Sequence, residues 1–482
     1  MFIHSLYKNK IIGYVVTRYA TMGVQFVNSI LIAAFLGPFY LGVWGFANMI
    51  LQYITQVNLG LPYSLNVMLS IHKNDPQRTR TLLSTSLLLY IILAVVLAVL
   101  TLIAYFSGFS LGKKFEFDNY IFYVVCIAIL THFNSLYTNY FRVKNRLGVI
   151  IFYQSIIPLL TLLLLFCARG ETLLYVLLWT MLGGHLMSFI LYTWQARSDL
   201  ILPDKEMIQP LLRKGWYLFL YNACFYMIML STRSVVSEYY EVEELGFFSF
   251  AFTLANIIVL LFDSFNFLIY PKTINRFSQA PTTKEVLRIL NLIRENYITA
   301  IHLVMYVFII LFPYLITLFP QYETIGKCFS LIAMTVVFYS NCFVFSSLLT
   351  AFGAEKKLSL LAAFALLLNV LFALFISCVL KAGYAYVILS TMLAYIIYNV
   401  MLAFVSYRKL KVKMSLISLL KDNFPVRLFL PFFLCLFFVI MDFAWFYSLA
   451  LLCLFLVLNR KQLWNVKRVI VRIIADSSVI NI

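Results

Sequence analysis

Leu82–Phe106 reads LLSTSLLLYIILAVVLAVLTLIAYF, 25 residues without one charged side chain. As a helix it would be about 37 Å long, enough to cross a hydrocarbon core of roughly 30 Å. Arg78 and Arg80 precede it and Lys113 and Lys114 follow it, so charge brackets the segment without entering it. The same unit recurs as apolar stretches at 11–36, 41–65, 120–141, 148–168, 173–195, 215–237, 246–270, 297–319, 325–349, 358–380 and 384–407. A last stretch, 428–458, is long for one crossing; divided at Asp442 it makes two short ones, which tilt and local thinning accommodate. The chain is 63% hydrophobic and 12% charged, against roughly 45–50% and 25% in soluble domains, which excludes that class. Ile11–Leu36 is too long for the core of a cleavable signal and lacks a small-residue cleavage site, so it reads as a first span.

Charge assigns the sides. Thirty of the 37 Lys and Arg residues lie in every second segment between spans, as with Arg142, Lys144 and Arg146 after the fourth. The opposite segments hold only Lys113, Lys114, Arg169, Lys327 and Lys381. By the positive-inside rule the first set is cytoplasmic, the N-terminus included. The basic tail after Asn459 must return to that side, so the span count is even and fourteen is expected. The net charge of +18 therefore faces anionic phospholipids, not nucleic acid. Two cytoplasmic segments look interfacial. Thr282 and Glu285 have capping-box spacing before an apolar run, and the tail sets Leu463, Trp464, Val466 and Val469 among Lys461, Lys467 and Arg468.

Several chemistries are absent. The eight cysteines form no CxxC pair or Cys/His cluster, so no disulfide framework, metal or cofactor is indicated. No GxxxxGK[ST] loop exists, which removes an ATP-driven pump within this chain. Energy must come from an H+ or Na+ gradient, the substrate gradient or a partner. Glu116-Phe-Asp118 on a short outer loop is the nearest thing to a glycosyltransferase or polymerase motif, and two solvated carboxylates there do not make an enzyme.

An internal repeat is visible. Tyr40-Leu-Gly-Val-Trp-Gly-Phe-Ala-Asn-Met49 parallels Glu244-Leu-Gly-Phe-Phe-Ser-Phe-Ala-Phe-Thr253 at an offset of 204 residues. Asn139–Leu147 parallels Thr350–Leu358 at 211. Six spans separate the copies, so the expected architecture is all-α: a six-helix lobe over 1–195, a cytoplasmic linker over 196–214, a second six-helix lobe over 215–407, and a helix pair with a basic tail over 408–482. Parallel repeats of this kind are a transporter architecture with the substrate site between the lobes.

At these residues the chain resembles a known family. Phe35-Leu-Gly-Pro-Phe-Tyr-Leu-Gly42, Asn58-Leu-Gly-Leu-Pro-Tyr63, Phe141-Arg-Val-Lys-Asn-Arg146, Glu243-Glu-Leu-Gly-Phe-Phe-Ser249, Tyr270-Pro-Lys272 and Leu318-Phe-Pro-Gln-Tyr322 are similar to the polysaccharide flippases. These form the Wzx-type O-antigen branch of the superfamily that also holds the multidrug (MATE) exporters and the lipid II flippase. The resemblance implies alternating-access transfer of an undecaprenyl-pyrophosphate-linked oligosaccharide across a bacterial inner membrane, for lipopolysaccharide synthesis. A polymerase and chain-length regulator complex would be the partner. The family often carries an Asp-Arg pair before the exit of the seventh span; here Thr232-Arg233 stands there, which puts any proton role of that position in doubt. An ion-coupled multidrug or cation antiporter of the same superfamily is the alternative.

An ionised side chain at mid-membrane costs on the order of 2.5–3.5 kcal/mol on insertion scales, so each needs a reason. Three fall within the spans: Arg18, Arg233 and Asp263. Arg18 lies eight residues past Lys10 and Asp263 eight before Pro271, each about 12 Å from the cytoplasmic end of its span. They are opposite in sign and belong to different lobes. One expectation is that both face a central cavity, pairing when its inner mouth is closed, with Arg18 binding pyrophosphate when it is open. The other is that Arg18 snorkels to the inner head groups. Arg233, near the outer end of its span, either guides pyrophosphate outward or pairs with Glu238 or Glu241. Asn48, Gln52 and Gln56 recur every four residues on one helix face, and Gln52 corresponds by the repeat to Asn256. Their amides suit sugar hydroxyls or interhelical hydrogen bonds equally. Gly60-Leu-Pro62 is expected to interrupt that helix. His132, His185 and His302 share no ligand spacing and read as structural.

Overall fold

The computed structural model describes residues 10–72, 75–144, 146–280, 282–444 and 446–475. Among the described residues there are helices and no β-strand. A bilayer imposes this, because backbone N–H and C=O groups find no water there and must bond within the segment. Among the described residues ten helices are long and apolar enough to cross a membrane, or up to twelve if each of two bent pairs is one crossing. The chain forms two compact units, Met1–Ala223 with Glu241–Gly246, and Cys224–Tyr240 with Phe247–Ile482.

Unit 1 is built on α1 (Lys10–Gln56), whose 47 residues would reach about 70 Å if straight. That is two crossings, and the helix breaks where the sequence separates its first two spans. Gly37 takes φ 73° and ψ 171°, and Pro38 follows, removing the N–H that would carry the helix on. A second break, at Val57–Gly60, precedes α2 (Leu61–Ile71), with Pro62 in its first turn. This is the interruption expected from Gly60-Leu-Pro62. The bundle continues with α3 (Pro76–Phe106), α4 (Ile121–Val143), α5 (Leu147–Leu164), α6 (Gly170–Ala196) and the short α7 (Ile208–Lys214). Leu82, Leu83, Tyr90, Tyr137, Phe141 and Tyr192 fill the inner core. The opposite face of α3 exposes Ile91, Ile92, Val95, Val99 and Leu100, an apolar stripe suited to lipid.

A close crossing joins α1 to the first turn of α9 (Val242–Gln279) within unit 1. A Cβ on Gly42 would lie 2.0 Å from the carbonyl oxygen of Val242, and one on Gly246 would lie 2.1 Å from that of Pro38. Both glycines and both carbonyls are related by the 204-residue offset. The contact is thus reciprocal, and only hydrogen fits on either side of it.

Unit 2 holds most of α8 (Trp216–Tyr239), the rest of α9, α10 (Thr283–Ile316), the deeply buried α11 (Gly326–Ala351), α12 (Glu355–Leu374) and α13 (Ile388–Lys409). Thr282 caps α10 as its spacing predicts, its hydroxyl accepting from the Glu285 N–H at 3.3 Å. Beyond α13, α14 (Leu416–Asn423) meets α15 (Val426–Ile440) at 75°, and α16 (Tyr447–Leu458) meets the start of α17 (Arg460–Ala475) at 76°. Asp442, at φ 56°, lies in the turn between α15 and α16.

Each unit carries a buried charge clamp that sequence reading did not find. In unit 1 Asp199, 4% exposed, accepts from Arg80 of α3 at 3.1 Å and from Lys144 at 2.7 Å. In unit 2 Asp422 accepts from Arg294 of α10 at 2.7 Å and from the Tyr407 hydroxyl at 2.6 Å. In both, a carboxylate from the segment after the sixth helix of the repeat holds an arginine of the third.

Candidate functional site

Unit 1 contains a cavity of about 370 Å³ between α1, α5 and α6. From α1 come Arg18, Thr21 and Gln25, spaced three and four residues apart and so on one face. From α5 come Tyr153, Gln154, Ile157 and Pro158, and from α6 His185. Thr21 and Ser155 share a hydroxyl hydrogen bond of 3.1 Å, and the Asn28 amide donates to the Pro158 carbonyl at 2.7 Å. These bonds tie α1 to α5 at the pocket wall. Gly184 lets α6 close on α5, since a Cβ there would lie 2.6 Å from Ile157 Cγ1. His185, the next residue, is thereby set at the wall. Arg18 is half-buried, and among the described residues no carboxylate lines the cavity.

The repeat supplies an internal control. Asn28 and Pro158 correspond, at offsets of 204 and 211, to Thr232 and Asn369, which also touch, Asn369 Nδ2 donating to Thr232 Oγ1 at 3.1 Å. Trp179-Thr-Met-Leu182 likewise parallels Ser390-Thr-Met-Leu393. At the same offsets Arg18, Thr21, Gln25, Gln154 and His185 become Asn222, Phe225, Met229, Ala365 and Ile396. In unit 2 Phe225 packs against Tyr339, Tyr395 and Tyr398 at 5.2–5.7 Å between ring centroids. Arg18 thus keeps a polar counterpart in Asn222, while Thr21, Gln25, Gln154 and His185 have apolar ones, so the helix packing does not require polar side chains at those four positions. Their presence in unit 1 calls for another reason.

The other expected residues lie elsewhere. Asn48 donates to the Trp44 carbonyl of its own helix at 2.9 Å, and Gln52 and Gln56 are half-buried on α1. Arg233, 5% exposed on α8 in unit 2, holds its guanidinium 5.5 Å from the centre of the Phe252 ring. Asn256 is half-buried on α9. The side chain of Asp263 lies outside the described residues. Of the three span histidines, His302 is packed among Phe429, Phe432 and Phe455 with Nδ1 on the Ile298 carbonyl. His132 is buried beside Tyr90, and His185 alone of the three joins the Arg18 cavity. Sequence reading passed over Thr21, Gln25 and Gln154. The first two were accessible by the one-face argument applied to Asn48, Gln52 and Gln56. Among the described residues no three His, Cys, Asp or Glu side chains gather as a metal site.

Comparison with known proteins agrees with this architecture. Solved structures with the same fold include an inward-facing multidrug resistance MATE family transporter of the MOP superfamily, 15% identical, TM-score 0.67, covering 82% of this chain and 98% of that one. An outward-facing MATE transporter of that superfamily is 16% identical, with TM-score 0.56 over 83% and 95%. A MOP superfamily transporter from Pyrococcus furiosus Vc1 (DSM3638), described as having reverse polarity of its binding pocket, is 16% identical, with TM-score 0.56 over 82% and 94%. No curated protein sequence matches the chain. The family model described as polysaccharide biosynthesis protein matches residues 7–274, more than half of the chain, and the chain belongs to that family.

Proposed function

We propose that this member of the polysaccharide biosynthesis family is a flippase. It moves an undecaprenyl-pyrophosphate-linked oligosaccharide from the inner to the outer leaflet of a bacterial inner membrane by alternating access, with both termini cytoplasmic. The observation that carries the reading is the unit 1 cavity, whose Thr21, Gln25, Gln154 and His185 stand where the repeat has apolar residues, with an arginine and, among the described residues, no carboxylate on its wall. A guanidinium stays charged at any working pH and offers parallel N–H donors to phosphate oxygens. Gln25, Gln154 and Thr21 add amide and hydroxyl groups for phosphate or sugar. At about 370 Å³ the cavity is near the lower end of small-molecule sites. It suits the diphosphate and the sugar next to it, while the remaining glycan and the polyprenyl chain lie outside. The amides of Asn48, Gln52, Gln56 and Asn256 are assigned to sugar hydroxyls, and Arg233 to the diphosphate on its way out. An H+ or Na+ gradient, or withdrawal of product by a polymerase complex, supplies direction.

Deleting the protein is expected to make lipid-linked repeat units accumulate on the cytoplasmic leaflet. Wild-type chain should clear them, Arg18→Lys should do so partly, and Arg18→Gln should not. Undisturbed surface glycan in the deletion strain, with hypersensitivity to cationic drugs instead, would replace this reading with the antiporter.

A further inference from the structure

We infer that His185 is a second anion-binding group of the Arg18 cavity, an uncharged N–H donor whose tautomer is set by Asn134. The inference rests on the reading of that cavity as a diphosphate site. Asn134 of α4 places Nδ2 2.9 Å from the His185 carbonyl oxygen and 3.4 Å from His185 Nδ1. The carbonyl can only accept, so the amide must turn its NH2 toward it, not its oxygen. The second hydrogen of that NH2 then points at Nδ1, which must be the ring's acceptor. The ring proton is therefore on Nε2. The cost of the arrangement is visible on the same residue, because Asn134 Oδ1 is buried with no hydrogen-bond partner. The orientation is nevertheless fixed by the carbonyl, because the reversed amide would set two acceptor oxygens 2.9 Å apart. A neutral N–H donor facing a charged ligand gives it a use.

Three further observations agree. His185 lies on the wall of the same cavity as Arg18. Its repeat counterpart is Ile396, so helix packing does not ask for an imidazole there. Gly184 draws α6 against Ile157 immediately beside it, which holds the ring close to α5. Tyr153 of α5 also lies near the imidazole, its ring centroid 6.0 Å away.

The test is calorimetric binding of inorganic pyrophosphate to the purified full-length chain in lipid nanodiscs. His185→Leu, which removes the donor, should bind about tenfold more weakly. His185→Gln, whose amide N–H reaches the position of Nε2, should stay within about threefold of wild type. Asn134→Ala keeps the ring but frees its tautomer and should fall between them. Thermal midpoints recorded on the same samples separate binding from folding. Wild-type affinity in His185→Leu, or equal loss in the Leu and Gln variants, overturns the inference while leaving the diphosphate site standing. If His185→Leu does not fold, wild-type affinity in Asn134→Ala overturns it. No pyrophosphate binding by the wild-type chain overturns the site and the inference together.

Discussion

Two arginines in this chain look alike in sequence and differ in their surroundings. Arg18 is one of the cations left inside the spans once flanking charge is removed, and that alone singled it out. Arg294 was grouped with the cytoplasmic charges, yet it is 3% exposed and held by the Asp422 carboxylate and backbone carbonyl, each at 2.7 Å. A carboxylate in a polar segment reads as solvated, so neither Asp422 nor Asp199 was legible as a buried clamp. The clamp makes an asymmetric prediction. Asp422→Ala strands a buried guanidinium and should cost about 3–5 kcal/mol. Arg294→Met removes the charge and leaves Asp422, whose side chain is 26% exposed, able to hydrate, so it should cost clearly less. Thermal unfolding of the purified variants measures both, and equal losses would contradict the account. His185 was legible only as a structural histidine. Its place beside Arg18 depends on how α6 meets α1 and α5, which no local spacing encodes.

At the scale of elements, the helices and their breaks were the most legible part. Pro38 and Gly60-Leu-Pro62 end helices for reasons local to the chain, and α1 and α2 break there. Asp442 marks the turn between α15 and α16 for the same kind of reason. The bends of 75° and 76° beside the C-terminal pair were not legible, because an apolar run carries no signal for the direction in which it leaves its neighbour. The 204-residue offset was readable as weak similarity, and the crossing of Gly42 with Gly246 gives it physical content. Alanine is favoured over glycine in a helix by about 1 kcal/mol, so a free helix would gain from Gly42→Ala. Here the added Cβ meets a backbone carbonyl that cannot rotate away, and overpacking of about 1–3 kcal/mol should outweigh the gain. Gly42→Ala and Gly246→Ala should each lower the thermal midpoint, and by similar amounts because the contact is reciprocal. A midpoint raised in either variant would show that the crossing is looser than the geometry requires.

For the whole molecule, composition decided the solvent, but it did not decide the cargo. Family membership narrows the chemistry to polysaccharide biosynthesis. The unit 1 cavity, with Arg18 on its wall and four polar side chains where the repeat has apolar ones, supports the proposed phosphorylated headgroup over a cation. The most direct measurement is flipping in proteoliposomes. A fluorescent undecaprenyl-pyrophosphate oligosaccharide is placed in one leaflet, and its accessibility to a membrane-impermeant quencher is followed in time. The account predicts that wild-type chain equilibrates the probe between leaflets, that Arg18→Lys slows this, and that Arg18→Gln reduces it to the rate of protein-free vesicles. Equal rates for wild type and Arg18→Gln would contradict the central claim, because the cavity would then carry no part of the substrate.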